Sequence, residues 1–389
     1  MTTPDAALTV IHGVRLVSDG VEIRDGWVQL RGGVVGAIGD GDGWRAGDAG
    51  ATVIDGRALA GPGAMLTPGL IDIHGHGGGG HSFEDSEADI RAARDLHRAH
   101  GTTRAVPSLV SGSIPHLVDR VARIARMTRT DPDILGSHLE GPFLDHAHRG
   151  AHDPHALALP TPGAIDALLD AGAGTIRQVT LAPELDGGMD AIRAFTDAGV
   201  AVAVGHTDAD FAVTSRAIDA GARILTHAFN AMPPLHHRMP GPVAAATADP
   251  RMIIEVIADG VHVHPELVRM LFAAAPGRVT LITDAMAAAG AGDGRYLLGE
   301  LAVDVTGGVA RLVDGGAIAG STLTQDAALR TAVAAGVALP DAVDALTVVP
   351  ARAIGRPGLG ILAPGYAADA VLWDADLTVR AVWSDGTRV

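Results

Sequence analysis

The sequence predicts an α/β protein, a closed (β/α)₈ barrel of the TIM type with a small β-sandwich formed by its N- and C-terminal segments. Three observations predict it. From Gly69 onward, apolar strand-like runs alternate with Ala-rich helical stretches, the alternation of a parallel sheet. Eight such units occur, the number that closes a barrel. Both ends of the chain instead show short strands between glycine turns. A length of 389 residues suits one large barrel with a satellite, and 47% hydrophobic but only 3% aromatic residues imply a core of Ala, Val, Leu and Ile. A doubly wound open sheet is the competing arrangement of the same units.

In chain order, residues 1–65 make the N-terminal part of the sandwich, with strand texture at 8–16, in "GWVQLRGGVVGAIGD" and in "ATVIDG". Residues 66–350 make the barrel. Its strands are expected at 70–74, 104–109, 134–139, 177–182, 200–205, 223–227, 252–258 and 278–283. Helices are expected to follow at 85–100, 114–129, 163–171, 188–198, 209–221, 242–248, 265–274 and 322–335. The last crossover carries an insertion, "RYLLGELAVDVTGGVARLVDGGAIAG", that reads as a β-hairpin, and one closing helix is expected near 340–354. Residues 351–389 return to strand and turn and complete the sandwich.

Composition narrows the function classes. A net charge of −16 argues against nucleic acid or an anionic membrane as partner, so an anionic ligand needs a local cationic pocket. The absence of cysteine excludes thiolate chemistry and suits a reducing cytoplasm. "MTTPDAALTV" lacks the basic and apolar regions of an export signal, and no apolar run reaches spanning length. All 29 basic residues are Arg, so Schiff-base and carboxylated-lysine chemistry are excluded.

A barrel carries its chemistry at the C-terminal ends of its strands, and polar donors recur there. Strand one ends in His74 and His76, strand three in "HLEGP" with Glu140, strand five in "VGHTD" with His206, strand six in "THAFNAM" with His227, and strand eight in "LITDA" with Asp284. Two histidines two residues apart on an extended chain face the same way and can meet one ion. That pair alone would read equally as a polar strand end, and the donors at four other strand ends decide for a divalent metal. Gly77 to Gly80 lack the helix-opening residues of a phosphate cradle and read as a tight loop. Asp284 reads as a ligand and proton acceptor, or alternatively as a helix cap. Of His262 and His264, one is expected to face the mouth and one the surface, and Asn230 adds an amide at the same rim. For a substrate anion, Arg238 in "PPLHHRMPG" is the first candidate and Arg149 in "HRGAHDP" the second.

These stretches, with "PGLIDIHGHG", "HLEGPF", "RGAHDP", "GHTDA", "ADGVHVHPE", "LITDAMAAAG" and "IAGSTLT", resemble the N-acetylglucosamine-6-phosphate deacetylases of the amidohydrolase superfamily over nearly the whole chain. The resemblance implies one or two divalent metals per subunit, Zn²⁺ first and Fe²⁺, Mn²⁺ or Co²⁺ as alternatives. It implies that Glu140, His206 and His227 hold the principal metal, that His74 and His76 complete a second position, and that Asp284 is the catalytic acid and base. It further implies that Ala151, Asn230, Ala231, Arg238, His262, Ile318, Ala319 and Gly320 contact an amino-sugar phosphate, and that the protein is a homodimer in which the arginine reaches a neighbouring site. Met239 departs from the acidic residue common after that arginine. Without lysine, Glu140 would have to bridge two metals.

The expected reaction is hydrolysis of N-acetylglucosamine 6-phosphate to glucosamine 6-phosphate and acetate. Two rivals are kept: the same chemistry on N-acetylgalactosamine 6-phosphate or an N-acyl amino acid, and a non-catalytic sugar-phosphate-binding barrel.

Overall fold

The computed structural model describes residues 8–47 and 50–389. The expectation of a start without an export signal falls mainly on residues 1–7 and lies outside the described residues.

The N-terminal segment holds β1 (Leu8–Ser18), β2 (Val21–Arg31), β3 (Val34–Asp40), β4 (Thr52–Asp55), α1 (Gly56–Ala60) and β5 (Met65–Pro68). The first barrel strand, β6 (Leu70–Gly75), is followed by a ribbon of β7 (Gly77–Gly78) and β8 (His81–Ser82) and by α2 (Glu87–Ala99). Then come β9 (Thr102–Leu109), α3 (Ile114–Met127), β10 (Ser137–Glu140), α4 (Pro162–Gly172), β11 (Ile176–Leu181), α5 (Gly188–Asp197), β12 (Ala201–Val204) and α6 (Phe211–Ala220). The barrel continues through β13 (Ile224–Leu225), α7 (Gly241–Ala248), β14 (Ile253–Ile257), α8 (Pro265–Ala274) and β15 (Val279–Ile282). After β16 (Gly294–Leu298), β17 (Leu301–Thr306) and β18 (Val309–Leu312) come α9 (Gln325–Ala334), α10 (Leu339–Asp344) and α11 (Val348–Ala353), and β19 (Ala370–Trp373), β20 (Val379–Ser384) and β21 (Thr387–Arg388) end the chain.

Strands β6 and β9 to β15 lie side by side in chain order and all pair in parallel. They are the eight strands expected, and α2 to α9 are the eight helices. Between β15 and β6 the ring closes through separate bonds rather than a ladder. At the mouth, Asp284 N–H donates to His74 O at 2.8 Å and His76 N–H to Ala285 O at 2.7 Å. At the floor, the turn after α10 is wedged into the seam, its Leu346 O accepting from Ile71 N–H and its Ala345 O from Leu281 N–H. Local signals start the helices: Ser86 caps α2 in a reciprocal box with Asp89, and α3 turns Leu117, Val121 and Ile124 inward.

Two expectations are corrected. The insertion is not a hairpin but a three-stranded meander, β16-β17-β18, because Gly307 and Gly308 turn the chain a second time. The single closing helix is two, α10 and α11, interrupted at Thr347, whose φ of −131° and ψ of −84° leave the helical region.

Both chain ends form one eight-stranded sheet, in the order β21-β20-β19-β5-β1-β2-β3 with β4 also on β1. One edge of β1 is shared: its start pairs with β4 and its end with β5. This branching folds the sheet over its own core, which includes Leu30, Leu66, Leu372 and Trp383. Among the described residues, no helix is long and apolar enough to cross a membrane.

Where barrel and sheet meet, Asp344 of α10 stands against the β1–β2 turn, and burial, with Asp19 and Asp341 nearby, pushes its carboxyl up to about 6. An acid whose pKa is raised on folding contributes stability below its unfolded pKa near 4, and that contribution is lost as the pH rises to about 6. Asp344→Asn should therefore gain on the wild type above pH 6, by roughly 1 kcal/mol once partial exposure is allowed for, and not at pH 4. Thermal unfolding of both proteins at the two pH values checks this.

Candidate metal centre

The barrel mouth gathers the donors because each stands where a strand ends. His74 lies in β6 and His76 just beyond it, and Glu140 is the last residue of β10. His206, His227 and Asp284 each stand two residues past the ends of β12, β13 and β15. These last three have φ of +47°, +24° and +48°, a region L-residues rarely adopt. Such backbone persists where the surroundings over-determine it, typically at functional sites. Asp284 is followed by no helix, so the capping alternative falls away.

All six side chains are buried. Glu140 is the hub. Its Oε1 lies 3.2 Å from His74 Nε2, 3.1 Å from His206 Nε2 and 3.2 Å from His227 Nε2, and its Oε2 lies 3.1 Å from His76 Nε2. Asp284 Oδ1 completes the group at 3.2 Å from His76 Nε2 and 3.6 Å from His74 Nε2. Ligand atoms of His74, His76, Glu140 and Asp284 lie within 4.8 Å of one another, as do those of Glu140, His152 and His206.

This donor set fits a divalent cation. His206 Nδ1–H donates to His148 O at 2.9 Å, which leaves its Nε2 lone pair facing His227 Nε2 at 3.0 Å. His74 Nε2, 3.2 Å from Glu140 Oε1, is buried without a hydrogen-bond partner. Buried lone pairs turned on one another beside two carboxylates call for positive charge between them. Burial pushes the Glu140 carboxyl up, but the neighbouring imidazoles, His74 foremost, outweigh it and hold it well below its usual range. Burial likewise raises Asp284, and His74 and His76 outweigh it, keeping the group an ionised base.

Over these donors opens a cavity of about 250 Å³. Ala151, Asn230, Ala231, His262, Ile318 and Gly320 line it, together with His76, Glu140, His206, His227 and Asp284. His262 faces this mouth and His264 is exposed, capping α8. Ala319 is fully buried in the packing beneath the meander, between the two lining residues. Arg238 is not brought to the cavity of its own chain: it is exposed on a separate groove with Phe211, Pro233 and Met239. Arg149 lines a neighbouring cleft against the meander. The glycines after His76 form the β7–β8 ribbon, where a Cβ on Gly77 would fall 2.3 Å from His81 O and one on Gly78 2.8 Å from the His97 ring. They serve close packing, as a tight loop should.

Sequence reasoning missed three groups. His152 lines the cavity, and burial pulls its pKa down to about 4. Its Nδ1 accepts Ser111 N–H at 3.2 Å, so the neutral ring carries its proton on Nε2, 3.4 Å from Glu140 Oε2. It is a donor there rather than a ligand. Asp259 accepts from His262 Nδ1 at 2.6 Å. Burial lowers His262, but that bond and the Asp259 charge raise it above its ordinary value. Glu255 lies in the barrel interior beneath the donors and bonds His74. The signals were visible: His152 in the "RGAHDP" stretch, Asp259 three residues before His262, and a lone carboxylate in the apolar strand "IIEVI".

Residues 65–389 match the amidohydrolase family. The chain is 40% identical to an N-acetylgalactosamine-6-phosphate deacetylase of Escherichia coli O157:H7, over 83% of this chain and 87% of that one. It is 34% identical to the N-acetylglucosamine-6-phosphate deacetylase of Vibrio furnissii, over 98% of this chain and 94% of that one. The N-acetyl-D-glucosamine-6-phosphate deacetylase of Mycobacterium smegmatis, solved with N-acetyl-D-glucosamine-6-phosphate, superposes with a TM-score of 0.92 at 42% identity, covering 98% of this chain and 99% of that one. With the barrel, the histidine pair at the end of its first strand and the aspartate after its last, these matches mean that the chain belongs to the amidohydrolase family.

Proposed function

We propose that the protein is a metal-dependent deacetylase that hydrolyses N-acetylglucosamine 6-phosphate to glucosamine 6-phosphate and acetate. The observation that carries this reading is the meeting of donors from five strands, an ionised aspartate among them, at the wall of one cavity. Glu140, His206 and His227 would hold the principal ion, and His74 and His76 would complete a second position. Zn²⁺ suits this nitrogen and oxygen set first, and Fe²⁺, Mn²⁺ or Co²⁺ also suit it. When bound, a divalent cation polarises the acetyl carbonyl and lowers the pKa of water from near 16 towards ~7. Asp284 takes the proton of the attacking water and returns it to the nitrogen as the C–N bond breaks. His262, held by Asp259, donates a hydrogen bond to the acetyl oxygen as charge builds on it. Asn230, Ala231, Ala151 and the 318–320 stretch hold the sugar. In this division 66–350 works as the catalytic barrel, and 1–65 with 351–389 as its β-sandwich. The cysteine-free chain suits a cytoplasmic enzyme of amino-sugar breakdown.

The residues lining the cavity include no arginine, while a phosphate group needs a cation. A homodimer in which the partner subunit's Arg238 enters this cavity supplies one, and the exposed position of Arg238 beside apolar Phe211 and Met239 favours it. The galactosamine epimer is the second reading, favoured by the identity to the Escherichia coli enzyme. Acetate release from both sugar 6-phosphates and their unphosphorylated forms tests both readings. Glucosamine 6-phosphate is expected as the faster product, and Arg238→Ala should raise KM for the phosphorylated sugar about 10-fold or more, the loss of one charged hydrogen-bond pair. An intact preference for phosphate after Arg238→Ala would refute the anion assignment, and acetate release without metal would refute the deacetylase mechanism.

A further inference from the structure

Inside most TIM barrels the layers below the active site are packed with branched apolar side chains. Here the layer beneath the donors is polar. His138 bridges Ser108 Oγ and Thr180 Oγ1, each at 2.8 Å, and Thr180 continues to Thr226 Oγ1 at 2.9 Å. Beside them stands Glu255, the centre of β14, with no exposed surface. Alternation along the strand turns Glu255 to the same side as Ile257, which lines the cavity, one layer lower. A carboxylate there is expensive to bury, and its bonded partners are neutral donors apart from the imidazole it touches. Gln178 Nε2 donates to Oε1 at 2.7 Å. The backbone N–H of His227 donates to Oε2 at 3.3 Å, and His74 Nδ1 meets the same oxygen at 3.0 Å.

The bond to His74 decides a tautomer. An ionised carboxylate can only accept, so His74 carries its proton on Nδ1. Its Nε2 lone pair is then left free, and that is the buried nitrogen without a hydrogen-bond partner, aimed at Glu140 and Asp284. We propose that Glu255 is a positioning residue of the metal centre: through the Glu255–His74 hydrogen bond it fixes the tautomer and ring orientation of His74 and sends negative charge through the imidazole to the bound cation, while Gln178 holds the carboxylate in place. A ligating histidine backed by a carboxylate binds its metal more tightly than one without such support. No role for this carboxylate follows from the reaction itself, since it lies behind His74 and away from the cavity.

The proposal rests on the reading of His74 as a metal ligand, and a double-mutant cycle on Zn²⁺ affinity separates the two. Metal-free full-length protein is titrated with Zn²⁺ against a chromophoric chelator for the wild type, Glu255→Gln, His74→Gln and the double variant. Glu255→Gln keeps shape and removes the charge, and is expected to weaken Zn²⁺ binding about 10- to 100-fold. In the His74→Gln background the same change should leave the remaining Zn²⁺ binding unaltered, because glutamine still offers an oxygen to the His227 N–H and the effect of the charge travels through the His74 ring. A general loosening of the barrel would instead give additive losses, which overturns the proposal, as does wild-type affinity in Glu255→Gln when His74→Gln is weakened. Wild-type affinity in His74→Gln refutes the reading of His74 as a ligand and the proposal with it. Should Glu255→Gln not fold, Gln178→Met, which removes the donor to Oε1 and leaves every ligand in place, enters the same cycle with the same expected outcomes. The Co²⁺-loaded proteins give a second readout: the visible band should shift in Glu255→Gln and stay at the wild-type position if the carboxylate is merely structural.

Discussion

Asp284→Asn is expected to lower kcat by about 10²- to 10⁴-fold, the usual contribution of a positioned acid and base, with KM for the sugar phosphate changed far less. The physical reason is its place. Asp284 is buried, 3.2 Å from His76 Nε2 and on the wall of the cavity, and neighbouring imidazoles keep it ionised against the pull of burial. It is therefore placed to accept a proton. Asparagine retains size and a coordinating oxygen but neither accepts nor returns that proton, so metal content should survive while turnover does not. The acidic limb of the kcat/KM profile, where falling pH protonates Asp284 and removes the base, should vanish from the residual activity. Turnover and metal content measured on the same preparation check this, and full turnover with metal bound would refute the role.

The second large effect is on stability. Arg104, in β9, has a side chain 5% exposed and forks onto Asp369 at the root of β19, with Nε to Oδ2 at 2.6 Å and Nη2 to Oδ1 at 3.0 Å. The same guanidinium reaches Asp385 in the β20–β21 turn and the carbonyl of Pro132. It thus ties the barrel to the terminal sheet. Burial disfavours its charge, but the two carboxylates outweigh that and raise its pKa. Arg104→Met leaves Asp369 buried without its partner, and should cost roughly 3–5 kcal/mol in urea unfolding. Adding Asp369→Leu should recover most of the loss, because the expensive element is the orphaned charge rather than the missing attraction. A double variant no more stable than Arg104→Met would show that the arginine acts chiefly through packing.

Much of this site was legible along the chain because its signals are local. A barrel strand announces itself over a few apolar residues, and the residues just past its end must face the mouth. So His74, His76, Glu140, His206, His227 and Asp284 could be named from strand ends alone, and the structure brings all six together. The absence of lysine likewise excludes a carboxylated-lysine bridge without any coordinates. The meander and the break at Thr347 were harder, because each depends on one turn whose alternative, a longer hairpin or helix, has the same composition.

What the sequence by itself determined was the order of βα units, the residues at their mouths and hence the class of chemistry, since periodicity and strand ends are properties of short segments. Only the tertiary structure decided which of these residues touch and through which atoms. Glu255 meets His74 across 181 residues of chain, His152 takes its proton position from the backbone of Ser111, and Arg238 lines a groove separate from its own cavity. Closing the barrel sets those distances all at once, and a hydrogen bond or a charge acts through distance in space whatever the separation along the chain.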